Sequence, residues 1–125
     1  MGIPIITRDD LKNLINAGQK NCVLIDVREP DELSFGTIPT AVNIPLGELQ
    51  TALAMPPEVF QEKYGFPKIT KKDNLIFYCR TGQRAQTATQ FARVQGFNAR
   101  NYAGSIWEWA EIDSSVKRYG PDPQF

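Results

Sequence analysis

A chain of 125 residues is long enough for one domain with its own hydrophobic core, without disulfide support. Its 14 basic and 14 acidic residues cancel to a formal net charge of zero, which argues against electrostatic binding to nucleic acid or to an acidic membrane surface. It contains no histidine, so no Cys/His pair, Ser/His/Asp triad or His-ligated metal can form within it.

The first residues lack the basic flank and length of a signal peptide, and no apolar run approaches a membrane span. Thr7-Arg8-Asp9-Asp10 has the form of a capping box, with an acid three residues after the N-cap. Leu11, Leu14 and Ile15 then fall on one helical face, and Gly18 supplies the stop. Residues 22–27 form a nearly continuous apolar run, as expected of a strand buried on both faces of a parallel sheet. Pro30 opens a short helical turn toward Phe35, and Gly36 breaks it. Residues 41–44 read as a short strand between Pro39 and Pro45.

Helical spacing returns over residues 46–55 and, after Pro56-Pro57, over 58–64 up to Gly65. A polar connection leads to a second buried strand at 75–79. The helix after it runs to about Gln95 and has a narrow, Ala-rich face that suits close packing on a sheet. Residues 99–102 give a last strand, and Gly104-Ser105 turns into a C-terminal helix bearing Ile106, Trp107, Trp109 and Ile112. The alternation predicts an α/β fold: a single domain over 1–125, with a central parallel sheet flanked by helices on both faces. The core is expected over about 5–112, followed by a loose tail over about 118–125.

Chemistry concentrates where the strand 75–79 ends. Cys79 is followed by Arg80-Thr81-Gly82-Gln83-Arg84 and then by a helix start. Ligands of parallel α/β sheets bind outside the carboxyl ends of strands, and helix N-termini hold anions. A cysteine in that position is expected to react as its thiolate. Gly82 lets successive N–H groups from Arg80 to Arg84 turn inward as an anion-binding nest. Arg84 can fork two donors onto a sulfonate or phosphate; the competing reading for Arg80 and Arg84 is surface charge or a structural ion pair. Arg84 ranks ahead of Arg80 as a substrate contact. Asp26 and Arg28 also stand at a strand's carboxyl end, and the favoured reading there is loop-holding ion pairs. Cys22 begins its strand at the opposite end and is no resolving partner for Cys79. With two cysteines and no disulfide framework, both are read as reduced and the protein as cytoplasmic; a mitochondrial form with a removed leader fits the same residues.

These residues resemble the rhodanese family. Cys79-Arg80-Thr81-Gly82-Gln83-Arg84 is similar to its six-residue active-site loop, and residues 24–29, Leu-Ile-Asp-Val-Arg-Glu, to its first block. Gly36-Thr37-Ile38-Pro39-Thr40-Ala41-Val42-Asn43-Ile44-Pro45 resembles a second block, and Tyr102-Ala103-Gly104-Ser105 with Trp109 resembles the family's last. The insertion around 57–67 and the Asn-Tyr-Ala-Gly end look most like the small single-domain thiosulfate sulfurtransferases of eukaryotes. The resemblance implies a rhodanese fold and a sulfurtransferase. Cys79 would take a sulfane sulfur from thiosulfate as a persulfide and pass it to glutathione, a protein thiol or cyanide. Arg80, Thr81, Gly82, Gln83 and Arg84 would bind substrate, with Asp26 and Arg28 in support and neither metal nor organic cofactor. Three departures stand out: Thr37 replaces the family's usual His, Ser105 a common second Gly, and Thr81 the Lys of the two-domain mitochondrial enzymes.

Two rival functions are weighed against it. One is a persulfide carrier or interaction module without efficient thiosulfate turnover. The other is a cysteine phosphatase or arsenate reductase, some of which share the fold. The phosphatase motif Cys-x5-Arg would need arginine at Ala85, whereas the basic residue comes one position early, at Arg84. A shorter loop suits a sulfur atom better than a phosphoryl group.

Overall fold

A computed structural model describes residues 2–18 and 21–124. The chain runs α1 (Arg8–Ala17), β1 (Cys22–Asp26), a 3₁₀ turn (Pro30–Phe35) and β2 (Val42–Asn43). After a second 3₁₀ turn come α2 (Leu49–Ala54), α3 (Pro57–Tyr64), β3 (Asn74–Tyr78), α4 (Gln83–Val94), β4 (Asn98–Asn101) and α5 (Ser105–Trp109). The capping expected of Thr7 is present: its hydroxyl accepts from the Asp10 N–H at 3.2 Å. Gly18 closes α1 in the left-handed conformation, with φ of 64°.

The four strands form one sheet in the order β2-β1-β3-β4, every pairing parallel. Side chains alternate across it, so both faces must be covered. Leu75, Phe77 and Cys79 enter a core shared with Leu49, Phe60, Ala85, Ala88 and Ala92 of α2, α3 and α4. Ile76 and Tyr78 enter the other, with Leu11 of α1 and Ile106 and Trp109 of α5. The alanines of α4 are fully buried, which brings that helix close to the sheet.

Beyond β4 the sheet gains a fifth position. Ile5 pairs with Asn101 in a parallel bridge, fixed by Ile6 N–H to Asn101 C=O at 3.1 Å and Asn101 N–H to Pro4 C=O at 2.8 Å. The sequence reading leaves this segment unassigned, because one bridging residue carries no period.

From β1 the chain moves outward to β2, then returns across to β3 and continues to β4. The order therefore reverses between β1 and β3. That switch point is where parallel α/β sheets open a crevice at the strand carboxyl ends. Arg28 and Cys79 lie just past these two ends.

The tail expected to be loose from about 118 is held as far as Pro121. Lys117 N–H donates to Phe35 C=O at 2.8 Å, and the Tyr119 ring stacks on Phe35 with centroids 4.2 Å apart. Stacking and main-chain bonds anchor a segment whose glycine and prolines read as free chain. Phe125 lies outside the described residues.

Candidate active site

Cys79 leaves the sheet at the end of β3, and its neighbours turn at once into α4. Two N–H groups of that turn point at its sulfur. Gly82 N–H lies 3.1 Å from Sγ and Ala85 N–H 3.4 Å. Both belong to the first turn of a helix or its cap, where N–H groups have no helical acceptor and the helix dipole is positive. Both donate to the sulfur, with no histidine involved.

Gly82 can donate because of its backbone. Its φ is 103°, and a Cβ built there would stand 2.4 Å from the carbonyl oxygen of Ala103. Any side chain would force the loop away from the turn that follows β4. The Cys79 main chain is held too. Its N–H donates to the Ser105 hydroxyl at 3.1 Å, and that hydroxyl donates to Tyr102 C=O at 2.9 Å. Ser105 Oγ also sits 4.0 Å from the thiol sulfur. The sequence reading noted Ser105 only as a departure in a turn.

An open pocket of about 460 Å³ lies beside the loop, lined by Arg80, Thr81, Gly82, Gln83 and Gln86 and, opposite, by residues 122–124. Cys79 is 1% exposed and does not line it. Gly82 does, and its N–H contacts the sulfur.

The two loop arginines have different roles. Arg84 forks onto Glu32, Nη1 to Oε1 at 2.6 Å and Nη2 to Oε2 at 2.9 Å. Glu32 also accepts from the Tyr119 hydroxyl at 2.7 Å. The Arg84 fork, aided by Tyr119, holds the Glu32 carboxyl down at about 2. Burial pushes the Tyr119 phenol up to about 12, so it remains a donor at neutral pH. Arg84 therefore takes the ion-pair arrangement, with both Nη groups on a carboxylate. Arg80 lines the pocket and donates through Nη1 to the carbonyls of Tyr119 and Pro121, at 2.7 and 3.0 Å.

Asp26 and Arg28 stay apart from the pocket. Arg28 is fully buried and binds Asp26 through Nε and Nη2, the latter at 2.7 Å. Its remaining donors reach Glu32 C=O, Gly36 C=O and the Tyr119 hydroxyl. Burial opposes the Arg28 charge, but the Asp26 bonds outweigh it and raise its pKa above the ordinary guanidinium range. The pair fixes the 3₁₀ turn that carries Glu32. Cys22 sits at the amino end of β1, the opposite end of the parallel strands from Cys79. Both cysteines are free. Among the described residues, no group of three His, Cys, Asp or Glu side chains could hold a metal ion.

Glu32 and Tyr119 were not singled out from sequence. Nothing local marks either one: Glu32 meets Arg84 across 52 positions, and Tyr119 meets Glu32 across 87.

The chain is similar to known proteins over most of its length. A family model described as a rhodanese-like domain matches residues 7–112. The chain is 44% identical over 115 residues to the human thiosulfate:glutathione sulfurtransferase, covering 90% of this chain and 98% of that protein. It is 40% identical over 106 residues to the mitochondrial thiosulfate sulfurtransferase RDL2 of Saccharomyces cerevisiae, covering 84% and 71%. Among solved structures, the human single-domain sulfurtransferase TSTD1 superposes with a TM-score of 0.83 at 43% identity, over 90% of this chain and 99% of that one.

Proposed function

The chain belongs to the rhodanese family, and from that premise we propose that it is a thiosulfate sulfurtransferase with Cys79 as the sulfur-carrying nucleophile. The observation that carries the assignment is the convergence of the Gly82 and Ala85 N–H groups on Cys79 Sγ, at 3.1 and 3.4 Å. Such a cradle serves a sulfur anion before and after it gains a second sulfur.

In the first half-reaction the Cys79 thiolate attacks the outer sulfur of thiosulfate. A new S–S bond forms, the bond to the sulfonate sulfur breaks, and sulfite leaves with the electron pair. In the second, an acceptor thiolate attacks the outer sulfur of the Cys79 persulfide. The bond to Cys79 breaks and the thiolate returns, leaving the acceptor as a persulfide. Glutathione or a protein thiol serves as acceptor; cyanide would leave as thiocyanate. No net oxidant or reductant enters. Two half-reactions through one covalent intermediate give ping-pong kinetics.

The loop binds by main chain and by side chain. The Gly82 and Ala85 N–H groups face the sulfur, while Arg80, Thr81 and Gln83 line the adjoining pocket. Arg84 keeps to its carboxylate and orders the start of α4. Asp26 and Arg28 hold the turn that presents that carboxylate. A thiol that must stay reduced suits the cytoplasm or the mitochondrial matrix, and the yeast relative is mitochondrial by name. No helix among the described residues is long and apolar enough to cross a membrane.

Intact-mass measurement tests the proposal. Thiosulfate should add one sulfur, about 32 mass units, to the wild type and none to Cys79→Ser, and glutathione should remove it. No adduct, or an adduct on the serine variant, would falsify the assignment. A persulfide that forms once without multiple turnover would indicate a carrier. Turnover of an aryl phosphate would indicate a phosphatase.

A further inference from the structure

Residues 113–125 fall outside the family match, which stops at residue 112. Yet the chain there returns to the active-site loop, and several anchors fix its course. Arg118 Nε donates to Trp107 C=O at 2.8 Å, and its guanidinium lies 4.9 Å from the Trp107 ring centroid. Lys117 N–H bonds Phe35 C=O, and Tyr119 stacks on the Phe35 ring while its hydroxyl bonds Glu32. After those anchors comes Gly120, in left-handed backbone with φ of 76°. The carbonyls on either side of it, of Tyr119 and Pro121, both accept from Nη1 of Arg80. A Cβ on Gly120 would lie 3.2 Å from that Nη1 and 3.3 Å from Cζ. The glycine thus gives both the turn and the room for the guanidinium. Trp107 and Tyr119 flank the same group, with ring centroids 5.5 and 5.8 Å from Cζ.

We propose that residues 117–121 form a strap that positions Arg80 to recognise the anionic sulfonate of the sulfur donor. The inference rests on Cys79 being the sulfur-accepting thiol. The anchoring groups are neutral, so they fix the guanidinium without cancelling its charge. No carboxylate comes within ion-pair distance of Arg80 among the described residues. The strap uses only Nη1, and Nη2 and Nε make no hydrogen bond among the described residues, while Arg80 lines the pocket. Arg84, forked onto Glu32, keeps neither Nη group uncommitted. Holding a long side chain in its binding position before the ligand arrives removes ordering cost from binding, an effect of about threefold to tenfold in affinity per side chain. Arg80 is the binding group; Tyr119, Gly120 and Pro121 are positioning residues.

A double-mutant cycle on full-length protein tests this. Gly120→Val places a β-branched residue where φ is positive and should pull the two carbonyls off Arg80. Tyr119→Ala perturbs the strap by another route. With thiosulfate as donor and glutathione saturating, each should raise KM for thiosulfate by about threefold to tenfold and lower kcat much less. Arg80→Ala should raise KM at least as far. In the Arg80→Ala background Gly120→Val should add nothing, because the group it positions is gone. A strap that merely supports the fold would give effects that multiply in the double variant, and that result overturns the proposal. So does a wild-type KM in both strap variants while the Cys79 persulfide still forms. Failure of wild-type protein to take sulfur from thiosulfate would instead defeat the sulfurtransferase reading, and the strap's role with it.

Discussion

Ser105 occupies left-handed backbone with φ of 53°, a conformation that costs an L-residue about 1–2 kcal/mol and glycine almost nothing. Glycine would suit the backbone, but it would leave the buried Cys79 N–H without the hydroxyl that accepts it. The two effects separate in two variants. Both Ser105→Ala and Ser105→Gly remove the hydroxyl, at a cost of about 1–3 kcal/mol for an unsatisfied buried donor. Only the alanine also keeps the strain. Urea unfolding should therefore rank both wild type and Ser105→Gly above Ser105→Ala. Equal stability of the two variants would show that the positive φ carries no strain. The two loop arginines also make different contacts: Arg84 pairs with Glu32, and Arg80 with the carbonyls of Tyr119 and Pro121. Arg80 and Arg84 look alike within Cys79-Arg80-Thr81-Gly82-Gln83-Arg84, and a fork onto substrate ranked Arg84 first. Their roles depend on Glu32 and on the strap, both remote in the chain, and no spacing within the loop encodes either.

At the scale of elements, the Glu32–Arg84 fork joins the 3₁₀ turn Pro30–Phe35 to the first turn of α4, which carries the sulfur cradle. The fork lowers the Glu32 carboxyl from an ordinary 4.5 to about 2. A lowered carboxyl stabilises the fold fully above its unfolded value and loses that contribution as the pH falls through its folded value. The bridge should therefore hold at neutral pH and fail progressively between about 4.5 and about 2. Other carboxylates titrate in the same window, so the useful measurement is a difference. Urea midpoints should fall more steeply with acid for wild type than for Glu32→Gln, which has no such proton to gain; parallel curves would mean the bridge does not couple to folding. The elements themselves were largely readable. The continuous apolar run of 22–27 and the Ala-rich face of α4 reflect burial that local sequence must encode. The bridge at Ile5 and the fastening of residues 117–121 were not readable, because single pairings and one stacked tyrosine leave no period.

For the molecule as a whole, Arg28 is the point where distant parts of the chain meet. Its guanidinium binds Asp26 of β1, the Glu32 carbonyl in the 3₁₀ turn, the Gly36 carbonyl beyond it, and the Tyr119 hydroxyl of the strap. Sequence suggested an ion pair here from two residues at one strand end, but not its reach, which spans 91 positions to Tyr119. Burial makes the pair's energetics asymmetric. Two charges taken out of water gain little net stability over apolar residues of the same size, whereas one charge left alone is costly. Arg28→Ala strands the Asp26 carboxylate at 1% exposure and should cost about 3–5 kcal/mol in urea unfolding. That is a large part of the roughly 5–15 kcal/mol that holds a domain together. Replacing both residues by apolar ones of similar volume, as in Asp26→Leu with Arg28→Met, removes the stranded charge. The double variant should be more stable than Arg28→Ala despite carrying one more substitution. If it is instead the less stable of the two, the ion pair stabilises the fold in its own right. Its value would then lie in the four segments it ties together rather than in the neutralisation of Asp26.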